Sequence, residues 1–321
     1  MRLKKYVRYC LLLLTIAGVA AWLTLIYRPA PIWTAYIAGR WWLFTATRRN
    51  PLCKGAAAPS IQRYYEMIKA RKDSEKVSLL ERDSEGRTKW HLDLGDFWIP
   101  NGTPADFLTA VVGEQMANTY GYSEREGAIV LDCGANIGTF TKWAVRHGAG
   151  TVVAIEPAPE NLECLRRNFA DEIRAGKVVI FEGGVWDRND KLFLTSDAGN
   201  PGADRIVQSP RAAEAGTWVP LTTIDELVSK LKLQRVDFIK MDIEGSEQKA
   251  LTGGAKTIRS WRPRIAVATE HTSDLLNNSM EVIRIVRSFN PGYQYRCGYC
   301  GVVQSARWGG RVLTPVSLVF E

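Results

Sequence analysis

The chain has 321 residues, of which 46% are hydrophobic and 24% are charged, and its formal net charge is +8. This apolar content predicts a folded core and excludes a globally disordered protein. Residues 1–54 hold nine basic residues and no acidic ones, whereas the remaining chain has 33 basic and 34 acidic residues. Because the excess positive charge is confined to the N-terminus, the sequence does not predict a nucleic-acid partner.

The N-terminal segment has the composition of a membrane anchor. Residues 9–27 are 19 uncharged and mostly apolar residues between Arg8 and Arg28, which is long enough for one helical crossing. A cleavable signal peptide is the alternative. A second apolar stretch at residues 32–47, interrupted by Arg40, is typical of an interfacial helix or of a second span. The side of the membrane on which the remaining chain lies therefore stays open.

The sequence divides into three parts, which are an anchor, an extension and a larger α/β domain, at residues 1–54, 55–125 and 126–321. Polar composition predicts a linker over residues 55–85, with one helix at 61–70. Alternating apolar residues predict a hairpin at 88–100, followed by a helix near 107–120.

The third part alternates short apolar runs with segments of helical periodicity. Five runs are predicted as strands, at residues 129–133, 151–156, 177–182, 236–242 and 264–270. This alternation predicts a Rossmann-like α/β fold whose mostly parallel sheet has helices on both faces. Strand-like runs at 191–195 and 218–221 form an insertion, and Thr223 with Glu226 has the spacing of a capping box. After a helix at 279–289, runs at 293–303 and 312–320 are predicted to close the sheet as an antiparallel pair.

The six cysteines form no complete metal-ligand pattern. Cys297 and Cys300 make one CxxC, but a structural zinc site of this kind needs a second pair. The sequence therefore predicts no metal ion, and it favours simple packing or a local disulfide for this pair.

The first predicted strand ends in a glycine-spaced turn. A turn of this kind brings backbone N–H groups close to a nucleotide-like ligand. The spacing is not the Gly-x-Gly-x-x-Gly of dinucleotide loops, and Asp132 adds a carboxylate suited to a cationic ligand. The turn therefore favours S-adenosylmethionine (SAM), and its candidate contacts are Asp132, Gly134, Ala135, Asn136 and Gly138.

The next two strand ends supply further candidate contacts for SAM. Glu156 ends the second strand, where Rossmann-like folds hold ribose hydroxyls. Glycines at 183 and 184 end the third strand, and Val185 or Trp186 is predicted to cover an adenine there.

The fourth strand carries two ionisable residues, Lys240 and Asp242, on one alternating face. Charged residues within a core strand are costly unless they are paired. One interpretation is that Lys240 pairs with Asp242 or Glu244 and only stabilises the turn. The functional interpretation places Asp242 beside the sulfonium and methyl group of SAM, and Glu244 nearer the methyl acceptor.

The fifth strand ends in Glu270 and His271, one of only three histidines. The unperturbed pKa of histidine, near 6.5, suits removal of a proton from an acceptor hydroxyl. His271 is therefore a candidate catalytic residue, together with Lys240, Asp242 and Glu244.

These motifs, in this order, resemble the FkbM family of SAM-dependent methyltransferases. The resemblance spans roughly residues 125–300 and rests on the runs Val130–Thr141, Glu156-Pro157 with Asn161 and Asn168, Thr223–Asp225, Asp237–Glu247 and Glu270-His271. It implies a class I methyltransferase fold that transfers a methyl group to oxygen, often on sugars or polyketide hydroxyls.

The sequence hypothesis is thus a membrane-anchored O-methyltransferase that uses SAM and a small-molecule or glycan acceptor. Two alternatives remain open. One is a nicotinamide-dependent oxidoreductase, which the glycine spacing disfavours. The other is a membrane-tethered, non-catalytic binding protein with a methyltransferase fold. No protein partner is inferred.

Overall fold

The computed structural model describes residues 77–123, 125–195, 205–207, 216–272, 274–305 and 310–321. The predicted anchor, with its apolar stretches at 9–27 and 32–47, and the predicted helix at 61–70 lie outside these described residues. Over the described ranges, no helix combines the length and the apolar composition that a membrane crossing requires.

The secondary structure follows the predicted alternation. The strands are β1 Ser78–Arg82, β2 Thr88–Leu92, β3 Gly95–Ile99, β4 Ala128–Cys133, β5 Ala149–Glu156, β6 Val178–Glu182, β7 Gly184–Val185, β8 Asp190–Thr195, β9 Arg205–Val207, β10 Gly216–Thr222, β11 Phe238–Met241, β12 Arg264–Ala268, β13 Tyr295–Ser305 and β14 Gly310–Phe320. The helices are α1 Ala105–Met116, α2 Thr139–Arg146, α3 Pro159–Asn168, α4 Ala170–Arg174, α5 Ile224–Lys230, α6 Glu247–Gly253, α7 Ala255–Trp261 and α8 Leu275–Phe289.

The central sheet has seven strands in the order β13-β14-β12-β11-β4-β5-β6. The five strands from β12 to β6 pair in parallel, while β14 is antiparallel to both β12 and β13. The predicted mostly parallel α/β fold is therefore confirmed, as is the antiparallel pair that closes it. Strands β4, β5 and β6 follow one another toward one edge of the sheet, and the next strand of this sheet, β11, lies on the other side of β4. The strand order therefore reverses between β4 and β11. Ligands bind at such reversals of strand order, beyond the carboxyl ends of the strands.

Helices cover both faces of this sheet, which explains the nearly continuous apolar runs of its inner strands. Leu131 and Ile239 face a core with residues of α5, α6, α7 and α8. Val130 and Phe238, one position earlier on the same strands, face the core that includes Phe140 of α2. Successive side chains of a strand point to opposite faces, so each strand serves both layers.

The extension packs beside the glycine turn. Its predicted hairpin is confirmed as β2 and β3. Asn168 ties the hairpin to the turn, because its amide accepts from Trp98 N at 2.6 Å and donates to Ile137 O at 2.9 Å. Strand β1 lies in the region that the sequence predicted as a linker, so this strand was not predicted. All five of its residues are exposed, and they therefore lack the alternating apolar pattern that indicates a strand.

The predicted insertion forms a second sheet, in the order β7-β10-β8-β9. The helix that follows begins at the predicted cap, where Thr223 Oγ1 accepts a hydrogen bond from Glu226 N at 3.0 Å.

Gly138 provides a test of how tightly the turn is packed. Its φ of 93° is left-handed, and an added Cβ would overlap the Phe169 ring. We expect Gly138→Ala to lower the free energy of unfolding by about 2–5 kcal/mol, measured by urea denaturation, because strain and overpacking add. The control Gly176→Ala, with φ 71° and open space around its Cβ, should lose about 1–2 kcal/mol. Equal losses in the two variants would contradict the packing account.

Candidate active site

The carboxyl ends of the inner strands surround one cavity of about 410 Å³, a volume typical of small-ligand sites. Gly134 follows β4, Glu156 ends β5, Asp242 follows β11, and Glu270 with His271 follows β12. Helix α1 covers the cavity from the extension through Glu114, and Tyr120 lies just beyond this helix.

A buried ion pair joins β4 to β11 at this edge. Lys240 Nζ lies 3.3 Å from Asp132 Oδ1 and donates to Gly134 O at 2.6 Å. Thr141 Oγ1 donates to the other oxygen of Asp132 at 2.6 Å. Burial alone would lower the pKa of Lys240, but the Asp132 and Asp242 carboxylates outweigh burial and raise it. Lys240 is therefore a charged group that holds the glycine turn against β11.

Asp242 faces the cavity from the end of β11. Tyr120 donates a hydrogen bond to Asp242 Oδ2 at 2.7 Å, and Lys240 Nζ lies 3.9 Å from the same oxygen. Burial would raise the pKa of Asp242, but Lys240 and His271 hold it below its ordinary value. Asp242 is thus an ionised carboxylate whose Oδ1 atom is left to face His271.

His271 lies among three carboxylates. Its Nε2 atom is 3.5 Å from Asp242 Oδ1 and 3.5 Å from Glu244 Oε1, and its Nδ1 atom is 3.4 Å from Glu247 Oε1. Burial would lower the pKa of His271, but hydrogen bonding to Glu247 and the charges of Asp242 and Glu244 raise it to about 10. With both ring nitrogens facing carboxylates, the imidazole is arranged as a cation.

Glu244 and Glu114 add carboxyl groups to the same wall. Burial raises the pKa of Glu244 to about 7, and its φ of 52° is unusual for a non-glycine residue. Burial beside Asp242 raises the pKa of Glu114 to about 8. Within the described part of the chain, no hydrogen bond or ion pair holds the Glu114 carboxyl. This end of the cavity is therefore rich in carboxyl groups.

Glu156 holds the other end of the cavity. Its Oε2 atom accepts from Asn136 N at 2.8 Å, and its Oε1 atom accepts from Ala158 N at 2.9 Å and from Asn161 Nδ2 at 3.3 Å. The carboxylate thus holds the glycine turn at Asn136, whose φ is 52°. Glu156 also lines the cavity.

Most of the residues predicted from the sequence line this cavity, namely Gly134, Ala135, Asn136, Glu156, Val185, Lys240, Asp242, Glu244 and His271. Two others do not. Asp132 is fully buried behind Lys240, and Gly138 packs against Leu165 and Phe169. Trp186 also lies off the cavity, in the core of the insertion sheet.

Lys240 Nζ lies 3.9 Å from Asp242 Oδ2, which confirms one of the two ion pairs that the sequence offered for Lys240. Its shortest ion pair is with Asp132, and within the described residues no ion pair joins it to Glu244. Tyr120 and Glu114 line the cavity but were not predicted as site residues. Both lie in the segment that precedes the glycine turn, and that segment has no recognisable site pattern. The Cys297–Cys300 pair is a disulfide, one of the two interpretations offered for it.

The buried pair can be tested by a double-mutant cycle. Lys240→Met leaves Asp132 unpaired, so we expect a loss of about 3–5 kcal/mol in the free energy of unfolding. Adding Asp132→Asn should restore a large part of this loss, because the uncompensated charge is then removed. Urea denaturation of the four proteins gives the coupling energy.

The matched control is Lys249→Met, which breaks an exposed ion pair with Asp187 of 2.8 Å. It should cost less than about 1 kcal/mol. A similar cost for Lys240→Met, or additive effects of the two substitutions in the cycle, would show that the buried pair does not hold the turn.

The α/β domain of the chain is similar to known methyltransferases. Residues 132–299 match the model of the methyltransferase FkbM domain. The chain is 26% identical over 225 residues to the 31-O-demethyl-FK506 methyltransferase FkbM of Streptomyces tacrolimicus, covering 59% of this chain and 85% of that protein. It is 23% identical over 188 residues to the 2-O-methyltransferase NoeI of Sinorhizobium fredii, covering 53% of this chain and 74% of that protein.

Among solved structures, the chain is similar to a methyltransferase FkbM from Methylobacillus flagellatus, with 18% identity and a TM-score of 0.42. The similarity covers 82% of this chain and 60% of that one, so the chain spans less than two thirds of that relative.

Proposed function

The chain belongs to the FkbM methyltransferase family, and we propose that it transfers a methyl group from SAM to a hydroxyl oxygen of a sugar, glycan or related metabolite. The cavity at the carboxyl edge of the sheet carries this proposal. It places Glu156 at one end and the carboxylates around His271 at the other. The relatives FkbM and NoeI are O-methyltransferases by name, which supports oxygen as the acceptor atom.

The residues of the cavity fit SAM chemically. Glu156 lines the cavity at the end of β5, the strand position from which Rossmann-like folds hold ribose hydroxyls. Ile155, Val185 and Leu194 give the wall an apolar portion suited to adenine. The Gly134–Asn136 turn and ionised Asp242 suit the charged amino-acid end and the sulfonium. When bound, SAM supplies an electrophilic methyl group on a positively charged sulfur atom.

The acceptor half of the cavity has to orient a hydroxyl and remove its proton. In the present arrangement both ring nitrogens of His271 face carboxylates, so the ring has no lone pair directed at a hydroxyl. Asp242 and Glu244 therefore supply the oxygen atoms that accept a hydroxyl hydrogen bond, and His271 positions them. Correct alignment of the two reactants supplies much of the acceleration in such a reaction.

Methyl transfer from labelled SAM tests the activity. The full chain should place label on one or more polyols or sugars of an acceptor panel, and the product should resist mild alkali as an ether does. Asp242→Asn should lower the rate about 100-fold or more. Label in an alkali-labile ester would contradict transfer to a hydroxyl, and no transfer despite SAM binding would favour a binding protein.

Glu156 tests the position of the cofactor. We expect Glu156→Ala to weaken SAM binding about 10-fold or more in calorimetry, because a charged hydrogen-bond acceptor is removed. The control Glu182→Ala removes the acid at the end of β6, which pairs with Arg166 away from the cavity. Equal affinities in the two variants would place SAM elsewhere. A urea denaturation of each variant separates loss of binding from loss of the turn.

We also propose that residues 9–27 anchor the enzyme to a membrane, on the strength of their length and apolar composition. Alkaline carbonate should leave the full chain in the membrane pellet and release a variant that lacks residues 1–54. Release of the full chain would contradict the anchor.

A further inference from the structure

Three potential metal ligands meet at the acceptor end of the cavity. The carboxylates of Asp242 and Glu244 and the imidazole of His271 offer ligand atoms that all lie within 4.8 Å of one another. His271 Nε2 is 3.5 Å from each of the two carboxylate oxygens. Charge-assisted hydrogen bonds are shorter, about 2.7–2.9 Å. Atoms bound at about 2.1 Å to one cation are separated by about 3.0–3.4 Å, which is close to the spacing around Nε2.

The orientation of the imidazole fits the same role. Glu247 is 1% exposed, and its Oε1 atom accepts hydrogen bonds from Ile243 N at 3.1 Å and Gly245 N at 3.3 Å. It also faces His271 Nδ1, which therefore donates to it. Histidine ligands of metals are usually held in this way by a carboxylate on the other ring nitrogen. If a metal cation replaces the Nε2 proton of the imidazolium, the Nε2 lone pair is directed between Asp242 and Glu244, a position that suits such a cation.

The surrounding charges favour a cation as well. Tyr120 and Lys240 engage Oδ2 of Asp242, which leaves Oδ1 on the side of His271. Glu114 of α1 and Glu270 after β12 face the same cavity. Among the described residues that line the cavity, Lys240 is the other cationic side chain, and it is paired with Asp132. Carboxylates thus outnumber cationic groups around the three ligand atoms.

We propose that Asp242, Glu244 and His271 bind a divalent cation, which in turn binds an acceptor with two neighbouring oxygen atoms, such as a vicinal diol. A set of two oxygens and one imidazole suits Mn²⁺ and related ions. Three protein ligands leave coordination positions open toward the cavity. With the cation bound, Asp242 and Glu244 contact the acceptor through the cation and no longer directly. A hydroxyl bound there has a lowered pKa and releases its proton to water before its oxygen takes the methyl group. The acceptor class rests on the proposed function, whereas the cation site does not.

Binding of Mn²⁺ alone tests the site without reference to activity. The full chain, stripped with a chelator and free of SAM, is titrated with Mn²⁺ and followed by electron paramagnetic resonance. We expect saturable binding of one ion per chain. His271→Ala and Glu244→Gln should each weaken it about 10-fold or more.

The control is His91→Ala, which removes an exposed histidine that faces Asp96 at 2.7 Å and has no part in this cavity. Its Mn²⁺ affinity should equal that of the unmodified chain. Thermal unfolding of each variant checks that it is folded. No saturable binding, or equal affinity in all variants, would overturn the cation site.

Calorimetry with SAM on the same proteins separates the two proposals. Normal SAM binding without Mn²⁺ binding would overturn the cation site and leave the proposed function intact. Mn²⁺ binding that depends on His271, in a folded chain that does not bind SAM, would support the site and contradict the proposed function. If both stand, chelation should lower the methylation of diols, and added Mn²⁺ should restore it.

Discussion

The active site depends on one buried interaction, the contact of Lys240 with Asp132 and Asp242. A lysine in the middle of a parallel sheet is tolerated only because two carboxylates and the Gly134 carbonyl oxygen surround its ammonium group. The two strands it joins, β4 and β11, are the neighbours between which the strand order reverses. Lys240 therefore fixes the glycine turn and Asp242 relative to each other, and with them the two halves of the cavity.

The two halves differ in chemistry. At one end, the Glu156 carboxylate accepts backbone and amide hydrogen bonds and holds the turn in its left-handed conformation at Asn136. At the other end, three carboxylates from the turn after β11 and the start of α6 surround the single imidazole of His271. A cavity with this charge suits a cationic methyl donor and a neutral, hydroxyl-bearing acceptor. Among the described residues that line it, the basic side chains Lys240 and His271 both face carboxylates.

Much of this site could be predicted from the sequence, because parallel strands end at one edge and the residues after each apolar run must meet there. Contacts across strands could not be predicted. Lys240 pairs with Asp132 because the two residues lie opposite each other on the adjacent strands β11 and β4. The pairing register of two strands cannot be derived from the sequence alone. Tyr120 and Glu114 come from the extension, whose docking depends on tertiary packing. The proposed cation ligands Asp242, Glu244 and His271 have no spacing typical of a metal motif, so the sequence does not indicate a metal there.

Hydrogen–deuterium exchange of the full chain, with and without S-adenosylhomocysteine, tests the location of the site most directly. A bound ligand slows exchange in the segments that it covers. We expect protection in peptides over residues 133–139, 155–162 and 183–187, at the carboxyl ends of β4, β5 and β6, and little change in the β1–β3 sheet. Unchanged exchange at saturating ligand, or protection confined to other segments, would contradict a SAM site at the carboxyl edge of the sheet.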